Sequence, residues 1–196
     1  MKFYKTLFFI FIFLNSGVKA DLNNNLIKEL KQGGKLIFIR HAYAPGNWDP
    51  QNFNLYYCST QRNLSENGRE QSKKIGNLFL ENKIDIENVY SSEWCRCKET
   101  ASIAFKNFKT KKFLNSFYSS QFAKNRKTQV KEFQEFINNW DKKENLIFVT
   151  HYVFISEILN YAPSSGEMII TDKNLNIVDT LETVSYTHLT LPTIEW

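Results

Sequence analysis

Four apolar residues, Leu36-Ile37-Phe38-Ile39, run without a polar break into Arg40 and His41, and the loop-forming stretch "APGNWDP" follows closely. A run without alternation reads as a strand covered on both faces. That limits what the chain can fold into, because a strand covered twice belongs inside a sheet flanked by helices. Such a strand either simply reaches water at Arg40-His41 or acts as a pedestal for two cooperating side chains.

The rest of the chain supplies the flanking elements. Residues 22–32 predict a first helix closed by Gly33-Gly34, and residues 35–39 the buried strand. A Pro/Gly/Asn-rich loop extends to about Asn63. "LSENGREQSKKIGNLFLEN" predicts a helix capped at Ser65, with Ile75, Leu78 and Phe79 on its inner face. "IENVYSS" predicts a second strand ending at Ser91-Ser92, and "CRCKETASIAF" the next helix. Residues 109–127 are polar and predict no regular structure. In "TQVKEFQEFINNW", Val130, Phe133, Ile137 and Trp140 recur at helical spacing and point to the core. "NLIFVTH" is a third strand, ending on His151, and "VFISEILN" is a helix. "GEMIITDKNLNIVD" predicts two strands around a turn at residues 172–174. The expected architecture is an α/β three-layer sandwich with a mostly parallel sheet and helices on both faces.

The first twenty residues stand apart from this domain. Lys2 and Lys5 precede an apolar run over residues 7–14, and Val18-Lys19-Ala20 ends the segment. That pattern predicts a secretory signal peptide over 1–20, the alternative being an uncleaved N-terminal anchor. The run is too short for the roughly 20 apolar residues of a membrane span. Removing residues 1–20 takes away three lysines and no acid, so the formal charge falls from +5 to +2. The basic character therefore argues for no nucleic-acid partner. The three cysteines, Cys58, Cys95 and Cys97, leave at least one thiol unpaired within the chain. Cys58 with either Cys95 or Cys97 is the more reasonable bridge. The cysteines and scattered histidines do not make a zinc pattern.

If the sheet is parallel, three strand ends meet on one rim: Arg40-His41, Ser91-Ser92 and Thr150-His151, with Arg96 opening the helix after the second strand. Arginine offers a planar, permanently charged fork for phosphate oxygens. A neutral histidine can accept a phosphoryl group covalently, and a second, protonated one can stabilise the transferring group. A pocket of this type needs no cofactor and no metal.

"LIFIRHA", "SSEWCRCKETA" and "IFVTH" resemble, in order, the three signatures of the histidine phosphatase superfamily, the phosphoglycerate-mutase-like fold. The resemblance covers roughly residues 33–172 and is closest to small exported bacterial members, whose longer signature is similar to "APGNWDPQNFNLYYCSTQRNLSENGREQ" and "SSGEMII". It implies that His41 is the nucleophile, that Arg40 and Arg96 are pocket arginines, and that His151 is the second histidine. Arg62 is either a third phosphate contact or a surface arginine. Ala42 stands where the familiar motif has Gly, a change other members share. Where one branch has Asp after the second histidine there is Tyr152, and residues 109–127 contain no acid. Glu93 and Glu167 are the proton-donor candidates that remain, with Glu93 as a turn residue and Glu167 as a brace the alternatives.

Residues 21–182 are thus expected to form the histidine phosphatase domain. The tail, 183–196, matches no family element and resembles translated adapter sequence, so His188 is left out of the site. The expected activity is phosphomonoester hydrolysis of histidine acid phosphatase type, through phosphohistidine. The alternatives are a mutase or phosphotransferase and a non-catalytic phosphate binder. The expected location is periplasmic or secreted, with no stable membrane span after signal removal. The expected partner is a small phosphomonoester, for which analogy with exported relatives suggests an envelope sugar phosphate.

Overall fold

In a computed structural model, residues 24–86 and 88–183 are described. The expected signal peptide and all of the expected tail but Thr183 lie outside them. The described residues form one six-stranded sheet with helices on both faces. The helices are α1 (Asn24–Gln32), α2 (Glu66–Glu81), α3 (Cys95–Phe105), α4 (Ser120–Ala123), α5 (Arg126–Asn138) and α6 (Tyr152–Leu159). The strands are β1 (Leu36–Arg40), β2 (Asn88–Ser91), β3 (Lys109–Thr110), β4 (Leu146–Thr150), β5 (Met168–Thr171) and β6 (Ile177–Leu181).

The strand order is β3-β2-β4-β1-β5-β6. The first four run parallel to one another, and β5 and β6 continue the sheet antiparallel. β1 and β4 occupy the centre, in register from Leu36 opposite Leu146 to Arg40 opposite Thr150. Successive side chains of a strand face opposite sides. Ile37 and Ile39 therefore pack with Leu30, Ile75, Phe79 and Ala101 from α1, α2 and α3. Leu36 and Phe38 pack on the other face with Phe133, Ile137, Phe154 and Ile155 from α5 and α6. Val130 and Trp140 are only partly buried, so the predicted stripe on α5 enters the core mainly through Phe133 and Ile137.

Local signals place the elements that carry the site. The Ser65 hydroxyl accepts from Gly68 N at 3.2 Å and caps α2 as expected. A Cβ on Gly68 would lie 2.1 Å from Tyr43 O, so this glycine lets α2 press against the loop leaving β1. Residues 109–127 are more ordered than expected: they hold β3, a 3-10 turn at Lys112–Leu114 and the short α4. These pieces are too brief to produce a periodic pattern. Thr183 also departs from the expected boundary at 182. It is buried, donates to Gly166 O at 2.8 Å, and its carbonyl accepts from Gln71 Nε2 at 2.7 Å. Among the described residues no helix is long and apolar enough to cross a membrane.

Candidate active site

The parallel strands deliver their C-terminal ends to one edge, where a cavity of about 620 Å³ opens. Its wall includes Arg40, His41, Arg62, Arg96 and His151, five residues singled out by the sequence. His41 is anchored through its backbone N–H, which donates to Thr150 O on β4 at 2.9 Å. The imidazole rings of His41 and His151 lie 5.6 Å apart, centroid to centroid.

The tautomer of each ring follows from its partners. His41 Nδ1 is 2.8 Å from Ala42 O, and since a carbonyl only accepts, Nδ1 carries the proton. The lone pair is then on Nε2. His151 Nε2 is 2.9 Å from Ser92 Oγ, which itself donates to Asn115 Oδ1 at 3.1 Å. The Asn115 amide has one orientation: its oxygen accepts from Glu93 N at 2.9 Å and its nitrogen donates to Glu93 Oε2 at 2.7 Å. Ser92 therefore accepts from His151 Nε2–H, and the lone pair on His151 Nδ1 faces Arg96 Nη2 at 3.5 Å.

Both histidines have pKa values well below the ordinary imidazole value. Burial is the main cause for each, and Arg96 is the next. His41 thus meets the expectation of a neutral ring. His151 is likewise neutral, first because it is buried and then because Arg96 lies beside it.

The arginines converge from separate elements. Arg40 Nη1 donates to Pro163 O at 2.8 Å, and its guanidinium lies over the Tyr152 ring. Arg62 Nη1 donates to Ala44 O and to Gly46 O, so this arginine is built into the cavity wall rather than the open surface. Arg96 Nη1 pairs with Asp49 Oδ1 at 2.8 Å. The Nε atoms of all three arginines are buried without a protein hydrogen-bond partner. Burial, followed by the nearby Arg96, lowers the pKa values of Arg40 and Arg62 from the usual guanidinium value, Tyr152 and Asp49 partly opposing this. Crowded cations with free donors suit an anion.

Neither proton-donor candidate lines the cavity. Glu167 is buried, accepting from the Tyr161 hydroxyl and from Ser164 N at 2.6 Å. It braces the loop whose Pro163 carbonyl holds Arg40. Glu93 is engaged with Asn115. Asp49 is the acid on the cavity wall, and sequence reasoning missed it. Its position between Trp48 and Pro50 gives no local sign of a partner 47 residues away.

Cys58 is bridged to Cys95, which ties the long loop to the first residue of α3. Cys97 is free and buried, with Sγ 3.5 Å from His151 Nε2. Burial pushes its thiol up to about 12, so it remains protonated. At the outer wall Trp48 and Tyr118 approach to 4.8 Å between centroids while 63% and 56% exposed. Among the described residues no group of three or more His, Cys, Asp or Glu side chains could hold a metal ion.

Comparison with known proteins gives a family and a fold. The family model described as the histidine phosphatase superfamily (branch 1) matches residues 36–141. Among solved structures, TTHB049 from Thermus thermophilus is similar at 12% identity and a TM-score of 0.56, covering 78% of this chain and 98% of that one. The protein histidine phosphatase SixA complexed with tungstate is similar at 14% identity and a TM-score of 0.51, covering 76% and 97%. Rv3214 from Mycobacterium tuberculosis is similar at 16% identity and a TM-score of 0.52, covering 69% and 89%. No curated protein matches.

Proposed function

Because the chain belongs to the histidine phosphatase superfamily, branch 1, we propose that it is a metal-independent phosphomonoesterase in which His41 is the nucleophile. The observation that carries this reading is the cavity wall itself. The unprotonated Nε2 of a neutral histidine shares that wall with three arginines whose Nε donors lack protein partners.

In the proposed reaction, Arg40, Arg62 and Arg96 neutralise the phosphoryl oxygens. The His41 Nε2 lone pair then attacks phosphorus, and the bond from phosphorus to the ester oxygen breaks. The departing oxygen takes a proton from solvent. Water cleaves the resulting phosphohistidine to give inorganic phosphate and free His41. A bound phosphate raises the proton affinity of His151, so that ring can take up the proton with which it would stabilise the transferring group. Tungstate, held by the SixA structure, is a tetrahedral oxyanion of the class this cavity would take.

The outer wall supports a ring-bearing alcohol as the leaving group. Beyond the arginines it is lined by neutral Asn47, Gln51, Ser116, Ser119, Ser120 and Gln121, together with the Trp48 and Tyr118 rings. Neutral amides and hydroxyls suit sugar hydroxyls, and aromatic faces suit the apolar face of a pyranose. A sugar phosphate of the cell envelope fits that lining. A periplasmic or secreted location is supported by the leader-like pattern of residues 1–20 and by the Cys58–Cys95 bridge.

The test combines turnover with trapping. The chain is incubated with phosphorylated sugars and with a generic aryl phosphate, with and without chelator, and with a second alcohol present to reveal transfer. Acid-labile, base-stable phosphate on His41 is the expected intermediate, and His41→Ala is expected to abolish turnover while retaining phosphate binding. Near-normal hydrolysis by His41→Ala would overturn the assignment.

A further inference from the structure

We propose that Asp49 is a positioning residue that aims the Arg96 guanidinium into the cavity and acts on the reaction only through that arginine. This rests on reading the cavity as a phosphoryl site.

Asp49 is held on both oxygens. Its Oδ1 accepts from Arg96 Nη1 at 2.8 Å and from Arg62 N at 2.9 Å, and its Oδ2 accepts from Trp94 Nε1 at 3.2 Å. Both carboxylate oxygens are thus committed as acceptors, to an arginine, an amide and an indole. Those contacts fix one corner of Arg96. The other contacts of this fork are long: Nη1 to Arg62 O at 3.4 Å and Nη2 to His151 Nδ1 at 3.5 Å. Only the bond to Asp49 is short and charge-assisted, and the Arg96 side chain is 5% exposed. With Nη1 held there, the planar fork keeps one orientation in the cavity wall.

Asp49 also offsets a local excess of charge. It is the acidic side chain on a wall that carries Arg40, Arg62 and Arg96. The loop bearing it is secured to the start of α3 by the Cys58–Cys95 bridge and by Cys95 N donating to Gln61 Oε1 at 2.9 Å. Phe53 stacks on Trp94 within the same joint, at 5.2 Å between centroids.

The experiment is a double-mutant cycle on the full chain, read both by turnover of an aryl phosphate and by calorimetric binding of inorganic phosphate. In the native background Asp49→Ala is expected to lower kcat/KM and phosphate affinity at least tenfold. Asp49→Asn is expected to restore part of the affinity, because its amide oxygen still accepts from Arg96 and Arg62 while the negative charge and the bond from Trp94 Nε1 are lost. In the Arg96→Ala background, Asp49→Ala is expected to reduce either quantity by less than threefold. Equal losses with and without Arg96 would overturn the proposal, as would unchanged kinetics and binding in Asp49→Ala. Asp49→Ser, shorter but still polar, repeats the cycle if Asp49→Ala does not fold. A native chain that binds phosphate without turning over substrate fails the catalytic reading, and the calorimetric cycle then decides this one. A native chain that binds no phosphate overturns both.

Discussion

The cavity keeps two imidazoles neutral amid three arginines, and this has consequences that can be measured residue by residue. The pKa values of His41 and His151 are lowered in the folded protein, first by burial and then by Arg96. The unfolded chain therefore takes up protons near the ordinary imidazole value, about 6.5, while the folded chain does not. Their neutrality favours the fold above that value, and the advantage is lost as pH falls. Each histidine contributes a slope of up to about 1.4 kcal/mol per pH unit below it. Melting curves from pH 7.5 to 5 should show a falling midpoint, and saturating phosphate should reduce the fall. A midpoint independent of pH over that range would contradict the buried neutral pair. Arg96→Ala removes a charge-assisted contact worth about 1.5–3 kcal/mol. Phosphate affinity and turnover should both drop roughly tenfold or more, as titration and steady-state kinetics would show. His41, Arg40, Arg96 and His151 were legible because each lies at or just beyond a strand end on one sheet edge. Asp49 was not, because it acquires meaning only when the loop folds back onto Arg96.

At the level of elements, two joints carry the site. The first is the Cys58–Cys95 bridge, which ties the loop bearing Asp49 and Arg62 to α3. Replacing Cys58 by Ser should lower stability by about 2–4 kcal/mol and raise KM more than it lowers kcat. Chemical denaturation and kinetics would separate these effects, and an unchanged KM would mean that the loop holds its place without the bridge. The second joint is Gly68. Gly68→Ala improves helix propensity, yet its methyl meets Tyr43 O, so a net loss of about 1–3 kcal/mol is expected. Equilibrium unfolding that shows a gain would indicate that α2 can shift without cost. The helix boundaries were largely legible from capping and periodicity. The structure within 109–127 was not, because its cause is remote. Gln129 Nε2 on α5 donates to the carbonyls of Lys112, Phe113 and Asn115 and fixes that segment from outside. The same segment then supplies Ser116 and Tyr118 to the cavity wall.

For the whole molecule, ligand binding and folding are linked, since both draw on the one sheet edge. Inorganic phosphate at a hundred times its dissociation constant should add about 2.7 kcal/mol of apparent stability. The rise in Tm should vanish when Arg40 and Arg96 are both replaced by Ala, and its persistence would place phosphate elsewhere. The pairing of β1 with β4 also has a meaning in time. The strand that ends at Arg40, just before His41, leaves the ribosome well ahead of β4, whose Thr150 carbonyl accepts from His41 N and is made about a hundred residues later. Such non-local pairing forms late because loop closure precedes its reward. A nascent chain stopped before Leu146 would carry His41 and Arg96 without the central strand that sets them side by side. Chemical competence should therefore arrive in one step once β4 has been made, and copies that stop short of it should be silent toward the phosphate esters around them.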